Sequence, residues 1–455
     1  MNDSFDVAVV GLGPTGATCA ALLGSFGVRT LAIEREPEVY DKPRAFALDH
    51  EVMRVFEDLG IADAVAPHTA PFTPSEYYGA DGQLIKRLGA LPPPWPLDWP
   101  PSMVFQQPAV EALLRKKASE VAEVVFTELE SFEQDENSVR LRLSGGRAIT
   151  AKYLVGCDGA TSTVRRQLGI EYEDLEFDQS WLVVDLRVSA RGLAKLPQVS
   201  IQYCEPARPT TYLIGVGAHR RWELMLNPGE KPDVWKLLAR WITPDDAELW
   251  RAADYRFHAL VARQWRRGRV FLAGDAAHQQ PPFTGQGMCQ GVRDVVNLSW
   301  KLRHALTSEG TDALLDTYEA ERSLHVRRLT AIVKDIGKLI GERDPAAARA
   351  RDERLLAQAG GKIATVPRQD LIPPLEVGFL SEQPHSANGT LFPKDGKTGM
   401  RTVRKSMART PLLRAWFERY KCAAAIVRPD HYVYGVAGSN PALDRQLDAM
   451  AKQLA

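Results

Sequence analysis

The sequence predicts an α/β fold in which a nucleotide-binding domain is interrupted by an antiparallel sheet. Three observations predict it. The N-terminus reads strand, glycine turn, helix, strand, acidic residue. A second strand–turn–helix unit lies far downstream, from Gly268 to Leu302. Between them, residues 171–265 hold alternating stretches separated by Pro-, Gly- and Asn-bearing turns.

The first unit begins with the valine-rich run Asp6 to Val10. It passes through Gly11-Leu12-Gly13-Pro14-Thr15-Gly16 into a helical pattern at Ala20, Leu22, Leu23 and Phe26, then a strand from Arg29 to Ile33 that ends at Glu34. The first glycine makes the tight turn, the second admits a pyrophosphate, and the third lets helix and strand pack closely. Glu34 is placed to accept hydrogen bonds from a ribose. The motif reads as dinucleotide binding and does not by itself separate FAD from NAD.

Lys42-Pro43-Arg44-Ala45 follows, then an amphipathic helix from His50 to Gly60. By spacing alone Arg44 is equally a solvated arginine. The segment 67–101 is rich in proline and aromatics (LPPPWPLDWPP) and suits an irregular excursion, either part of a second domain, a lid or a surface loop. From Met103 a short strand leads into a helix, with Gln107 at its start and Glu111 inside it. Val124 to Thr127, Val139 to Leu143 and Ile149 to Val155 read as strands. The last of them runs into the turn Cys157-Asp158-Gly159.

In the inserted region, Trp181 to Val188, Val199 to Cys204, Thr211 to Val216 and Trp222 to Leu226 read as strands. Tyr203 and Tyr212 are candidates for a substrate-facing wall, with ordinary sheet tyrosine the reading the pattern favours for each. After it, Val270 to Ala273 is a buried strand, PPFTGQGM a Pro/Gly loop, and Val292, Val295, Val296, Leu302 and Leu306 mark a helix. Glycines in that loop let backbone approach a ligand, and the helix N-terminus offers free N–H groups and partial positive charge. A flat group that becomes negative during turnover, a flavin, suits this place. Thr311 to Gly341 reads as a long helix, capped by Thr311 or Asp312. Residues 342–374 read as a helix plus linker, and AAAIVRPDHYVYG in the tail as strand, turn, strand.

Bulk properties narrow the classes. The 455 residues carry zero formal net charge, so neither a nucleic-acid nor a membrane-surface footprint is expected. Five scattered cysteines form no CxxC or Cys/His cluster, which argues against a disulfide framework and a metal site. With no signal peptide and no long apolar run, a cytoplasmic protein is the expectation.

GLGPTG with Glu34, CDGATSTVR and GRVFLAGDAAHQQPPFTGQGM together resemble the group A flavoprotein aromatic hydroxylases, the p-hydroxybenzoate hydroxylase superfamily. KPRAFALDHEVMRVFEDLGI, FQQPAVEALL, IQYCEPARPTTYLIGVGAHRRWELMLNPGE and NLSWKL are similar to its 3-(3-hydroxyphenyl)propionate hydroxylase-like members. The resemblance implies a Rossmann-like FAD-binding domain of the glutathione-reductase type from residues 1–70, 102–170 and 266–345. It implies a substrate domain from 71–101 and 171–265, a helix or linker over 346–374, and a shortened thioredoxin-like region over 375–455, of which NGTLFP and VRPDHYVYG look like the ends.

Carried over residue by residue, Gly11, Gly13 and Gly16 would cradle the FAD pyrophosphate. Glu34 would hold the ribose, with Arg35 beside it, and Arg44 and Gln107 would contact the phosphates or ribityl chain. Asp158 would serve both FAD and the nicotinamide cofactor. Asp275 would bind the ribityl hydroxyls, and Pro282, Gly285, Gly287 and Met288 would border the ring. His278 reads as structural or as a contact near the cofactor, and His258 as scaffold. For the base or proton relay, His50, Tyr203 and Tyr212 are the candidates.

The implied reaction is NAD(P)H-dependent, O₂-consuming hydroxylation of a small phenolic substrate, ortho or para to its hydroxyl, through a flavin C4a-hydroperoxide. A homodimer is compatible with it. Two alternatives stand beside it: another FAD-dependent oxidoreductase of the same fold, such as a halogenase or reductase, and a non-catalytic protein that binds FAD and an aromatic ligand. No G-W-x-W-x-I motif of the tryptophan halogenases is present.

Overall fold

The computed structural model describes residues 4–95, 97–308, 312–372, 401–407 and 411–454. The chain opens with β1 (Ser4–Val10), α1 (Pro14–Ser25) and β2 (Thr30–Glu34), the two strands parallel and in register from Val7 against Thr30. Every residue of β1 from Val7 onward is buried, because both faces of a parallel sheet are covered. α2 (His50–Asp58) follows, capped by Asp49, whose carboxylate accepts from the Val52 amide at 3.1 Å.

The proline- and aromatic-rich segment is not all irregular. β3 (Ser75–Tyr78) and β4 (Leu84–Gly89) pair antiparallel and belong to the larger of the two main sheets. Alternation in Ser-Glu-Tyr-Tyr buries Ser75 and Tyr77 and leaves Glu76 and Tyr78 half-buried, the pattern of a strand with one face in a core. The dense prolines 92–94 and 100–101 lie beyond it and carry no regular element among the described residues.

α3 (Gln107–Val121) packs on α1, and β5 (Ala148–Gly156) returns to lie parallel beside β1. The chain then leaves for β6 (Tyr172–Val188), β7 (Ser200–Tyr203), β8 (Thr210–Ile214), β9 (His219–Met225) and β10 (Ala247–Ala262). It comes back in β11 (Val270–Leu272), parallel to β5. The first sheet therefore holds β11, β5, β1 and β2 side by side, with 123–126 parallel at the β2 edge and 129–134 and 139–143 antiparallel beyond β5. α4 (Gly287–Thr307) packs on α1, and α5 (Asp312–Ile340) on α4.

The larger sheet has nine strands and runs from 278–279 through β10, β6, β9, β8, β7, β3 and β4 to β12 (Ala364–Pro367). Its backbone is the long β6–β10 pair. β10 was not legible as a strand, because its polar stretch from Glu248 to Arg256 breaks the apolar alternation. Two of its strands lie outside the expected segments: 278–279 pairs with β10, and β12, within the expected linker, pairs with β4. A strand at a sheet edge needs little hydrophobicity of its own, so the polar stretch 342–374 gave no sign of it.

At the C-terminus, 401–404, 424–427 and 433–437 form a three-stranded antiparallel sheet, flanked by helices Pro411–Arg419 and Asn440–Leu454. The tail's strand–turn–strand pattern is present. The phrase NGTLFP lies outside the described residues.

Candidate functional site

Between the two main sheets lies a cavity of about 1370 Å³. At one end stands the glycine turn. Gly11 has φ +91°, and a Cβ there would sit 2.5 Å from the Cys157 carbonyl oxygen. A Cβ on Gly16 would sit 1.9 Å from the Gly11 oxygen, so this glycine allows backbone packing and does not line the cavity. Gly13 differs: a Cβ there would meet nothing within 4 Å, and the residue lines the cavity. Gly13 precedes α1, which starts at Pro14 and has no side-chain cap. The first N–H groups of the helix are therefore left for something in the cavity.

Glu34 and Arg35 line the same end. The Glu34 carboxylate accepts from the Leu12 amide at 2.6 Å and the Glu36 amide at 3.0 Å, fixing it against the glycine turn. Arg35 is exposed and leans toward Glu36 at 3.7 Å. Gln107 accepts from the amides of Arg44 (3.0 Å) and Ala45 (2.6 Å) and donates to Glu111. It thereby shapes the stretch from which the Arg44 side chain reaches the cavity.

Asp158 also lines the cavity, but its oxygens are engaged by the turn itself. They accept from Ser162 Oγ (2.5 Å) and from the amides of Thr163 (2.7 Å) and Val164 (3.0 Å). Its visible task is to lock the turn after β5.

The middle of the cavity is marked by Asp275, on a single tight turn after β11. Asp275 is exposed where it opens into the cavity, yet the protein crowding its carboxyl from behind raises its pKa, with His278 and Arg44 pulling the other way. The turn is held from behind by Asp294 of α4, which accepts from the Gly274 amide (3.0 Å), Arg322 Nε (2.8 Å) and His278 Nε2 (2.7 Å). Burial works against the Asp294 anion, yet His278 and Arg322 bring its pKa below the ordinary carboxylate value. His278 is thus a prop for the turn, its ring stacked on Trp265 at 5.2 Å.

The far end is Pro282, Gly285, Gly287 and Met288. Gly285 takes φ +67°, and a Cβ on Gly287 would meet open space. α4 starts here without a side-chain cap, the second uncapped helix N-terminus aimed at the cavity. Arg368, just past β12, donates to the Thr284 carbonyl at 2.8 Å and pins this loop.

Strand parity sets the opposite wall. On β9, Arg221 and Glu223 face the cavity, while Trp222 and Leu224 point the other way into an apolar cluster with Val184 and Tyr212. Val183, Leu213, Arg251, Tyr255 and Phe257 complete the cavity face. Behind it lies Asp185, fully buried, paired with Arg221 through two bonds (2.7 and 3.1 Å) and with His219 at 2.8 Å. Burial works against this anion too, but Arg221 and His219 hold its pKa down.

Three expectations fail at this wall. Tyr203 and Tyr212 sit on the face turned away from the cavity. Tyr212 is fully buried with its hydroxyl donating to the Pro197 carbonyl at 3.1 Å, and Tyr203 packs with Tyr78, Trp241 and Arg240. His50 begins α2 and does not line the cavity either. None of the three can meet a substrate there. His258 lines the cavity from β10.

Arg221, Glu223, Arg251 and Tyr255 were not singled out from the sequence. A signal existed: in His-Arg-Arg-Trp-Glu-Leu-Met, charge and apolar bulk alternate at Arg221–Leu224, and one aspartate interrupts Trp-Leu-Val-Val-Asp-Leu.

A dinucleotide cofactor fits this frame. The cavity exceeds the roughly 300–1,000 Å³ that holds one drug-sized ligand. Open glycines and uncapped helix starts sit at both ends, and a carboxyl faces inward at the middle.

A sequence family described as "FAD binding domain" matches residues 4–333. The chain is 35% identical over 514 residues to a "Probable NADH-specific resorcinol 4-hydroxylase" of Rhodococcus jostii strain RHA1, covering 99% of this chain and 94% of that protein. It is 33% identical over 409 residues to a "3-(3-hydroxy-phenyl)propionate/3-hydroxycinnamic acid hydroxylase" of Mycobacterium sp. strain KMS, covering 85% of this chain and 70% of that one. Among solved structures, p-nitrophenol 4-monooxygenase PnpA from Pseudomonas putida DLL-E4 aligns with a TM-score of 0.70 at 25% identity, over 79% of this chain and 95% of that one. The flavin-dependent monooxygenase PieE, solved with FAD and substrate, aligns over 99% of both chains with a TM-score of 0.76 at 23% identity, a likeness of fold.

Proposed function

The chain belongs to the FAD-binding-domain family of flavoprotein aromatic hydroxylases, and from that premise we propose that it is an FAD-dependent monooxygenase that hydroxylates a small phenol with NADH and O₂. The observation that carries this is the continuous cavity joining the glycine turn, Asp275 and the Pro282–Met288 loop to the face of the larger sheet. It provides one path for an extended cofactor and a second wall for a substrate. Hydroxylation falls ortho or para to the phenol oxygen, where that oxygen donates electron density into the ring.

FAD, when bound, would supply the redox and oxygen chemistry. This chain's residues supply the rest. Gly11, Gly13 and the start of α1 receive the pyrophosphate, Glu34 the ribose, and Arg44 the phosphates. Asp275, opening into the middle of the cavity, takes the ribityl hydroxyls. Pro282, Gly285, Gly287 and Met288 border the ring, and the uncapped start of α4 favours negative charge at its edge. The apolar members of the sheet wall, Val183, Leu213 and Phe257, keep water from the reacting face. NADH as the donor follows the name of the Rhodococcus relative.

The same reading takes 1–70, 102–170 and 266–345 as the FAD domain and the larger sheet as the substrate domain, extended by 278–279 and 364–367. The C-terminal unit is read as a shortened thioredoxin-like remnant, supported by its small sheet between two helices.

The test is phenol-stimulated NADH oxidation by FAD-loaded protein, with hydroxylated product and hydrogen peroxide measured together. Product stoichiometric with NADH is expected. A loaded flavin that no phenol causes to oxidise NADH would sink the reading.

A further inference from the structure

Glu223 is the one carboxyl that β9 presents to the cavity. It stands opposite Val183 on one neighbouring strand and Thr211 on the other, and is 3% exposed. Burial pushes its pKa up to about 7, with Arg221 pulling it down and Asp185 pushing it up.

Three arginines of the larger sheet share this wall, Arg221, Arg251 and Arg256, and each is already bonded to protein groups, Arg256 to Asp178. Arg221 donates to both Asp185 oxygens and to the carbonyls of Arg44 (3.0 Å) and Pro43 (3.1 Å). Arg251 donates to the Pro43 carbonyl (2.9 Å) and the Tyr255 hydroxyl (2.5 Å), and lies 3.6 Å from Asp185. A carboxylate on a substrate would compete with these protein partners for the guanidinium groups, and would face a carboxyl of like charge. A phenol hydroxyl would find an acceptor.

We propose that Glu223 accepts the phenolic proton during turnover, and that the substrate is accordingly an uncharged phenol carrying no carboxylate. The inference rests on the phenol hydroxylase reading above and deepens it. In the step, the phenol O–H bond breaks, its electron pair stays on the phenolate oxygen, and a carboxyl O–H bond forms on Glu223. No group on this wall changes oxidation state. With Glu223 ionised, Asp185 and Glu223 balance Arg221 and Arg251. Once Glu223 is protonated, one net positive charge faces the phenolate and favours it over the phenol. The charged groups acting on Glu223 are Arg221 on its own strand and Asp185 on β6, while Arg251, Tyr255, Arg256 and His258 of β10 line the same cavity. Thr211 on β8 is uncharged.

The FAD-loaded enzyme is assayed with 1,3-dihydroxybenzene, phenol and 3-(3-hydroxyphenyl)propionate. Wild-type kcat/KM is expected to favour the uncharged phenols by about 100-fold and to rise with pH through about 7. Glu223→Gln is expected to lower hydroxylation kcat by about 100-fold, to lose that rise with pH, and to keep wild-type FAD content and flavin spectrum. Glu223→Asp recovers part of the rate. Preference of the wild type for the carboxylated phenol overturns the inference without any variant. So does Glu223→Gln with wild-type kcat and pH profile. If no phenol of either class stimulates NADH oxidation, the function reading itself falls, and this inference with it.

Discussion

Arg221 donates from Nη1 to the carbonyl of Arg44 across 3.0 Å, and through that bond the larger sheet holds the segment from which Arg44 lines the cavity. Arg221 is oriented by Asp185, and Arg251 reaches the neighbouring Pro43 carbonyl from β10, on the other side of β6. One buried aspartate therefore organises two arginines that reach from one sheet to the segment beside the other.

Replacing that aspartate should cost stability and cofactor together. Asp185→Ala leaves two buried guanidinium groups without their carboxylate, a loss of about 3–5 kcal/mol. Asp185→Asn keeps acceptors in place and should cost less. Denaturant unfolding and retained FAD are the measurements. An Asp185→Ala protein with wild-type stability would remove Asp185 from this role.

Two glycines of the same motif should behave oppositely. A Cβ at Gly13 meets open space, so Gly13→Ala should fold like the wild type yet lose about tenfold or more in FAD affinity, or ~1.4 kcal/mol. A Cβ at Gly16 falls 1.9 Å from the Gly11 oxygen, so Gly16→Ala should damage the fold itself. Thermal unfolding of apoprotein and FAD titration separate the two. Equal behaviour of the variants would contradict this division of labour.

Acid should loosen the C-terminal unit. His431 Nε2 meets Asp58 Oδ2 at 2.5 Å, joining the tail to α2, and burial lowers the histidine's pKa despite the aspartate. A histidine depressed in the folded state contributes stability that is full above its ordinary value of 6.5 and is lost as pH falls through the folded value. Unfolding midpoints should therefore drop below pH 6.5. His431→Asn, which also tolerates the φ of +71° at this position, should flatten that slope. An unchanged slope would place the acid sensitivity elsewhere.

The tail should also be felt at the start of α4. Tyr432 donates to Glu51 (3.1 Å), which accepts from Arg293 Nε (2.7 Å). Arg293 in turn donates to Asp49 (2.7 Å) and to Gln286 (3.1 Å), the residue preceding α4. Tyr432→Phe should cost about 1 kcal/mol. A double-mutant cycle with Glu51→Gln should show a coupling of about 0.5–3 kcal/mol. Strict additivity in denaturant unfolding would deny the connection.

Much of the cofactor side was legible in the sequence, because it is local. A glycine turn, an uncapped helix start and a carboxylate at a strand end are each specified within about twenty residues, by backbone sterics and short-range hydrogen bonds. Glu34, Arg44, Asp275 and Met288 all line the cavity. Gly16 was read both as a packing glycine and as part of the pyrophosphate cradle; it packs on the Gly11 backbone and does not line the cavity, so only the first reading stands.

The substrate side was not legible in the same way. Whether a sheet residue faces a ligand or a core depends on parity and on which face another domain covers, and neither is written locally. Tyr203 and Tyr212 fell on the covered face, while Arg221 and Glu223, neighbours in sequence of Trp222, fell on the open one. The sequence alone determined the nucleotide-binding frame and the kind of cofactor it suits. Tertiary structure decided which wall meets the substrate, because burial and the Asp185–Arg221–Arg251 cluster arise only when distant strands are brought side by side.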